Sequence, residues 1–438
     1  MAYAKLFRRL PLNCCHHKRL RLGLDFNGTS GTPAIDICYG SELDLNFPQN
    51  QSNQRVIEVI RINREVSRRR ISTEAGLSIP SVTRLVNELV DAGYLKVSDS
   101  TMGGGAGPGR PASIVSLNPT CGSVIGVDVG EHFIQAALSD MNVRVIKELR
   151  VPTDAEQGSD VTCSKIVHAI EEVMAFNSSA HTNSAPSLRA ITIGVPGTID
   201  PTSSKVVRAP MINGWSDFDL KSQLKDRLPK VPLRIENDIN AAAVGEYAAG
   251  VAQDHGSFVF ASMRGGIGAG IFIDGQLYRG NAGFAGELGK MVFDPNFQFS
   301  PATGMGNLES ICGEATVAAT ASQKGIDLGA GKSGQPTIRS LSKAVAEGNT
   351  QAIEIFDSIL DHFGLAIANI ASLLDPRMIV VGGDIHEVME ISVKRLNEII
   401  NRLVPSPPVV VGSSLGDRAV LTGALQQAHR DACDRLLV

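Results

Sequence analysis

GVDVGEHFIQ, residues 126–135, reads as a buried strand that runs into a tight turn at Gly130, with a second strand leaving from Phe133. Outward from it, 123–129, 133–138 and 143–151 form three strand-like runs. A helical stretch near 160–176 follows, and then a strand over 189–193 that feeds GVPG at 194–197. A similar opening recurs later. Residues 258–263 reach a glycine-rich turn, after which 270–273 and 276–278 again read as strands. Two copies of strand, glycine turn, strand predict an α/β chain of two lobes facing a cleft, with ligands bound outside the strand ends between them. Asp128-Val129-Gly130 has the look of a turn that offers backbone N–H groups to a phosphate, yet Glu131 and His132 come next.

The chain has 438 residues, 43% hydrophobic and 20% charged, enough for two or three domains with real cores. No uninterrupted apolar run reaches the roughly 18 residues of a membrane span. Seven cysteines, with no C-x-x-C spacing, argue against a disulfide framework or a zinc ribbon and for a reducing cytoplasm. Cys14-Cys15-His16-His17 does not read as a metal site, because four contiguous residues rarely converge on one tetrahedral ion. The net charge of −4 divides into +5 up to Arg110 and −9 beyond it. A basic head suggests an anionic partner, but six of its basic residues precede Asp25, in a segment that resembles a transit peptide or an over-extended start.

Residues 1–50, with GTSGTP and FPQNQSNQ, lack periodicity and are expected to be disordered. From Gln54, Val56, Ile57, Val59, Ile60 and Ile62 supply one apolar helical face. Ser72 is the expected cap of a short helix through Ala75, and Ser78 of a third helix with Pro80 in its first turn. In that third helix Ile79, Val82, Leu85, Val86, Leu89 and Val90 face inward, leaving Ser81, Thr83, Arg84 and Asn87 outward, and Gly93 ends it. This is helix-turn-helix spacing, in which the last helix enters the DNA major groove; a small protein-interaction bundle would share the pattern. Two short strands, 95–97 and 114–116, flank MGGGAGPGRPA, as in a winged variant whose Arg110 reaches the minor groove; a flexible linker has the same composition. The expected division is 1–50, a winged helix-turn-helix over 51–118, and the two-lobed part over 119–438.

Helix is expected from about 338 through 374. A strand over 378–381 then delivers Gly382-Gly383-Asp384, and a last helix follows Gly416. There is no Walker A pattern, and GGIGAG at 265–270 runs into a strand where a dinucleotide fold needs a helix. IENDINAAAVGE, 235–246, places Asn237 and Asp238 at a strand end before an alanine-rich helix. Asp238 is suited to take a proton from a sugar hydroxyl while Asn237 holds neighbouring hydroxyls; the plainer alternative is that one of them caps the helix.

IENDINAAAVGE, GGIGAGIFIDGQLYRGNAGFAGELG, VVGGDI and GDRAVLTGA, in this order behind a winged helix, resemble the ROK family of repressors and sugar kinases, specifically its NagC/XylR-type regulators. The resemblance spans about 52–430. It implies an actin-like ATPase (ribonuclease H-like) fold of two lobes, a sugar pocket in the cleft, and a homodimer or homotetramer. It implies further that Asn237 and Asp238 are the sugar-binding pair, Asp238 being the base in kinase members. Glu287 and Glu309 match two more sugar-binding glutamates, and Gly194–Gly197 and Asn213 lie in segments lining the same pocket.

Departures from the family pattern sharpen the expectation. Kinase members resemble D-x-G-G-T-K at the first phosphate loop, where this chain has Asp128-Val129-Gly130-Glu131-His132-Phe133. An ATP phosphate would meet Glu131, and like charges about 4 Å apart repel by roughly 4 kcal/mol at an effective dielectric near 20. The second loop, G-T-G-I-G in kinases, is Arg264-Gly265-Gly266-Ile267-Gly268. Zinc-binding members resemble G-E-x-G-H followed by C-x-C-G-x-x-G-C-x-E; here Lys290 replaces the histidine, and Ser300, Ala302 and Asn307 replace the cysteines. Neither zinc nor ATP is therefore expected as a cofactor. A cation at 290 would suit a phosphorylated or acidic sugar, unless the lysine turns to solvent or pairs with Glu287. The expected function is a cytoplasmic DNA-binding regulator of sugar-metabolism genes, a repressor, with operator DNA and a sugar or sugar-phosphate effector as partners. An ATP-dependent kinase for a hexose or amino sugar, with an attached DNA-binding domain, is the alternative.

Overall fold

Two serine hydroxyls set the start of the first helices in the computed structural model, which describes residues 49–99, 113–179, 187–209, 211–300, 304–329 and 336–436. Helix α1 (Gln49–Asn63) buries Val56, Ile57, Val59 and Ile60, but Ile62, expected on the same face, is 64% exposed because it falls on the opposite side of the last turn. A strand the sequence did not announce, β1 (Glu65–Ser67), leads to α2 (Arg68–Ala75). Ser67, not Ser72, caps α2 by accepting from the Arg70 amide. Ser72 lies inside the helix, where its hydroxyl donates to the Leu77 carbonyl across the turn made by Gly76, at φ 65°. Ser78 caps α3 (Ile79–Asp91), with Pro80 in the first turn, where a missing N–H has no intrahelical partner to lose. Val82, Leu85, Val86 and Leu89 are buried; Ile79, expected inward, is 46% exposed because the helix begins before that face meets the core. Strands β2 (Leu95–Asp99) and β3 (Ser113–Leu117) pair antiparallel and β1 adds to the far side of β3, giving a three-helix, three-stranded unit, the winged unit, where the sequence predicts a winged helix-turn-helix. The wing tip with Arg110, and the N-terminal segment through residue 48, lie outside the described residues.

The first lobe begins with β4 (Ser123–Val129), β5 (Phe133–Asp140) and β6 (Val145–Pro152), followed by α4 (Ser159–Ser179) and β7 (Leu188–Val195). Three short strands, β8 (Thr198–Ile199), β9 (Val206–Arg208) and β10 (Ser216–Phe218), form a small antiparallel sheet. Then come α5 (Leu220–Lys225), β11 (Leu233–Asn237) and α6 (Asp238–Ala249). The second lobe holds β12 (Phe258–Met263), β13 (Ile267–Ile273) and β14 (Gln276–Tyr278). Its helices are α7 (Asn307–Cys312), α8 (Glu314–Lys324), α9 (Ile338–Ala346) and α10 (Thr350–Leu374), after which β15 (Met378–Gly383), α11 (Met389–Leu403) and β16 (Val409–Gly412) complete it. Helix α12 (Ala419–Asp434) ends the described chain.

The two large sheets repeat one topology. Their orders are β6-β5-β4-β7-β11 and β14-β13-β12-β15-β16, which is third-second-first-fourth-fifth in each lobe. In both, the first three strands form an antiparallel meander and the last two run parallel to the first. This duplicated α/β unit is the ribonuclease H-like half of an actin-like ATPase fold. Chain ends of the parallel strands therefore meet at the gap between the lobes, which is where such sheets bind ligands.

Helices α6 and α12 lie against each other in that gap. They approach so closely that a Cβ at Gly423 would stand 1.7 Å from the Ala241 carbonyl oxygen, and one at Gly245 2.3 Å from that of Ala419. On its other side α12 contributes Leu421, Leu425, Ala428, Ala432 and Cys433 to one apolar cluster with Val56, Ile57, Ile60, Leu85 and Leu89 of the winged unit. The His429 ring and the Met141 carbonyl are 2.9 Å apart within this interface.

Candidate functional site

Between the lobes lies a cleft of about 760 Å³. Asn237, Asp238, Glu287, Lys290 and Glu309 all line it. β11 runs parallel to β7 with Asn237 opposite Val195, so the strand end delivers the pair beside the Pro196-Gly197 turn. Asn237 is the N-cap of α6: its Oδ1 accepts from the Asn240 amide at 2.9 Å and its Nδ2 donates to the Gly197 carbonyl at 2.8 Å. The capping alternative thus holds for Asn237. Asp238 is differently placed. It is buried, its Oδ1 accepts from the Ile239 amide at 2.9 Å, and its Oδ2 lies 3.9 Å from Arg264 Nη1. Burial, which disfavours the charged form, pushes the Asp238 carboxyl up to about 6, with Arg264 opposing and Asp128 adding to the shift.

The two glutamates close the other wall. Glu287 Oε1 accepts from the Thr198 hydroxyl at 2.8 Å, which ties the second lobe to the small sheet of the first. The residue before it, Gly286, is at φ 89°, and a Cβ there would stand 1.8 Å from the Ala269 carbonyl oxygen, so only glycine brings Glu287 to this spot. Glu309 Oε2 accepts from the Gly306 amide at 3.3 Å and from Lys290 Nζ at 3.1 Å. Lys290 also donates to the Gly304 carbonyl at 2.6 Å; its carboxylate partner is Glu309 rather than Glu287, while its side chain stays 40% exposed to solvent. Asn307, at one of the positions matched to a cysteine, accepts from the Phe293 and Asp294 amides, so hydrogen bonds gather this loop; Ala302 lies outside the described residues. Asn213, expected near the pocket, is directed elsewhere. Its amide NH₂ points to the Glu156 carbonyl and its backbone N–H to that of Ala155, and it does not line the cleft.

The opposite half of the cleft carries the departures. Asp128 is fully buried at the end of β4, and the Gly130 amide after it closes the β4–β5 turn by donating to the Phe133 carbonyl at 2.9 Å. Glu131 faces the cleft with its carboxyl raised, first by burial. Glu314, raised to about 7 by burial and then by the neighbouring Glu131 charge, stands on the same wall. Arg339 pairs with Asp384 at 2.8 Å and with Asp417 at 2.9 Å. The residue that sequence reasoning missed is Arg264, noted there only as part of a loop. Its guanidinium reaches Asp128 Oδ2 at 3.5 Å and Asp238 at 3.9 Å, and these two charges raise its already high pKa. An arginine where the family loop has glycine was the available signal.

On the winged unit, Arg84 is exposed on α3 and paired with Glu88 at 2.7 Å. Thr83 is half-buried, and the hydroxyls of Ser81 and Ser78 are 2.8 Å apart. Asn87 accepts from Arg68 at 3.3 Å, which draws it towards α2. Arg69 and Arg70, exposed in the first turn of α2, were also missed; the run Arg68-Arg69-Arg70 was their signal.

Comparison with known proteins gives three concordant results. Residues 124–431 match the family model described as ROK family. A xylose repressor from Bacillus spizizenii is 30% identical over 87% of this chain and 95% of its own length. Among solved structures, a ROK family transcriptional regulator described as a homologue of the E. coli MLC protein superposes with a TM-score of 0.70 over 89% of this chain and 98% of its own, at 22% identity, which speaks to fold alone. A ROK family glucokinase from Streptomyces griseus, solved with glucose and AMPPNP, superposes with a TM-score of 0.58 over 70% of this chain and 99% of its own, at 28% identity.

Proposed function

The chain belongs to the ROK family, and from that premise we propose that it is a DNA-binding transcriptional repressor of sugar-metabolism genes, controlled by a sugar held in the interlobe cleft. The observation that carries this reading is the continuity of α12, which packs on α6 behind Asp238 at one face and on the winged unit at another. A ligand that shifts α6 has a packed route to α3. Support also comes from the xylose repressor that shares most of the chain. The repressor acts in the cytoplasm as a homodimer or homotetramer, which places two copies of α3 on half-sites about 34 Å, or a multiple of it, apart. Among the described residues, no helix is long and apolar enough to cross a membrane.

The cleft is read as working without nucleotide or zinc. Its far half suits a magnesium–triphosphate poorly, since Glu131, Glu314 and Asp384 face the space and the Arg264 guanidinium lies against Gly130. An ammonium at 290, already bound to two oxygens, is no zinc ligand. The kinase alternative keeps one favourable observation, a buried Asp238 able to serve as base, and a coupled assay across hexoses and amino sugars decides it. The main test is fluorescence anisotropy of the full chain on DNA from its own promoter region. Nanomolar binding released by D-xylose, D-glucose or N-acetyl-D-glucosamine is expected; sugar-dependent ATP consumption abolished by Asp238→Asn would replace the repressor reading with the kinase one.

A further inference from the structure

Arg264 leaves β12 of the second lobe and meets two acids from the other side of the cleft, Asp128 at the end of β4 and Asp238 at the start of α6. Its guanidinium lies so close to the first loop that a Cβ on Gly130 would stand 2.9 Å from Nη2. Next to it, a Cβ on Gly265 would stand 2.6 Å from the Met211 methyl, so a threonine there would require that flexible side chain to move aside. The side-chain cation of Arg264 thus lies against the first loop, where kinase members place a phosphate.

The contacts are informative for being long. At 3.9 Å, Arg264 Nη1 and Asp238 Oδ2 are too far apart to hydrogen-bond, yet an oxygen set to one side, about 2 Å off the line joining them, is roughly 2.8 Å from both. Asp128 Oδ1 is buried with no hydrogen-bond partner; burial raises its carboxyl and Arg264 opposes that shift, so Asp128 Oδ2, 3.5 Å away, anchors the guanidinium. A sugar hydroxyl is both donor and acceptor. Asp238, ionised, can only accept; the guanidinium can only donate.

We propose that Arg264 is a specificity-determining residue of the cleft, a built-in cation that holds one hydroxyl of the bound sugar against Asp238 and so selects a free sugar over its phosphate ester. This rests on the cleft being a sugar sensor. The hydroxyl donates to Asp238 Oδ2 and its oxygen accepts from Arg264. A phosphate ester at that position, as the dianion, has no proton to give Asp238, and its negative charge faces Asp238 and Glu131, with Asp128 buried behind Arg264. Lys290, the feature that pointed to an anionic sugar, is instead neutralised by Glu309.

The test is isothermal titration of the full chain and of Arg264→Met and Arg264→Lys with D-xylose, D-glucose, N-acetyl-D-glucosamine, glucose 6-phosphate and singly deoxygenated analogues of the three sugars. In the unmodified chain one deoxygenation is expected to cost tenfold or more in affinity, the size of a hydrogen bond to charged groups, roughly 10- to 100-fold. In Arg264→Met the parent sugar weakens by a similar factor, and that same deoxygenation then costs little more. Arg264→Lys, which keeps charge but loses the planar fork, falls between. A general structural role would not single out one hydroxyl, and melting curves without sugar show whether each variant folds. Should the methionine variant fail to fold, the lysine variant decides by the same hydroxyl comparison. An unchanged deoxygenation penalty in the variants, or tighter binding of glucose 6-phosphate than of glucose, overturns the proposal and leaves the sensor reading standing. An unmodified chain that binds none of the three sugars removes both.

Discussion

Asp238 makes the site pH-dependent in a way its own chemistry fixes. Its carboxyl, ordinarily near 3.8, is raised to about 6 in the folded chain by burial. Between those values the unfolded chain is ionised while the folded one keeps its proton, so this group's contribution to stability falls as pH rises through the window. Sugar binding runs the other way, because a hydroxyl donates more strongly to the ionised carboxylate than to the neutral acid. Affinity for a cleft sugar is expected to be flat above pH 7 and to fall below pH 6, towards about tenfold per pH unit for a single proton. Titration calorimetry at several pH values checks this, and Asp238→Asn should remove the dependence; because Glu314, raised to about 7, and Glu131, also raised, line the same cleft, a slope that survives in that variant points to one of these two instead. Asn237, Asp238, Glu287 and Glu309, which line the cleft, were legible as candidates because each belongs to a contiguous motif. Arg264 was not, since its partners are 136 residues away at Asp128 and 26 away at Asp238, and no local pattern announces such a meeting. The partner of Lys290 was equally hidden, chosen by the loop that brings Gly304 and Glu309 together.

Under the proposed repressor function, exposure predicts that helices α2 and α3 divide the DNA-binding work. Arg69 and Arg70 open α2 where backbone N–H groups also point outward, a place suited to phosphates, whereas Arg84 and the exposed Ile79 and Pro80 lie on the leading part of α3. Arg69→Ala is expected to weaken binding on operator and on unrelated DNA alike and to reduce the salt slope by about one. Arg84→Ala is expected to cost about 1–3 kcal/mol on operator and far less on unrelated DNA, with sugar affinity intact in both variants. Loss of its exposed pair with Glu88 changes stability little, so a large drop in melting temperature would mark a folding defect rather than a lost contact. Longer strands were readable at this scale: 123–129 and 258–263 match the expected strands residue for residue. The stretch expected as continuous helix over 338–374 is broken instead at Gly348, whose φ of 82° no helix accommodates. β1, the three short strands β8 to β10, and β16 escaped notice because strands of two to four residues carry too little alternation to read, and their pairing is supplied by distant partners.

For the molecule as a whole, a cleft that senses sugar is useful only if it alters the spacing of the recognition helices, and α12 is the element placed to do so. It meets α6 where Gly245 and Gly423 bring backbone onto backbone, with small alanine side chains packed around them, so little soft layer separates the helices and a shift of one displaces the other. The duplicated strand order was legible from the repeated strand and glycine turn, but the shared core of α12 and the winged unit was not, because residues 56 to 89 and 421 to 433 are joined only by folding. Gly423→Ala tests the linkage. The added methyl would stand 1.7 Å from the Ala241 carbonyl, so the helices must separate, an overpacking expected to cost about 1–3 kcal/mol in stability. Allosteric coupling is typically about 5- to 150-fold, and it is read as the ratio of sugar affinity with and without operator bound. In Gly423→Ala that ratio is expected to move towards one while the chain still binds each ligand separately, as measured by calorimetry and anisotropy below the variant's melting temperature. A ratio equal to that of the unmodified chain would mean that the signal bypasses the α6–α12 contact. Reciprocity supplies the internal check, since operator must weaken sugar by the same factor by which sugar weakens operator.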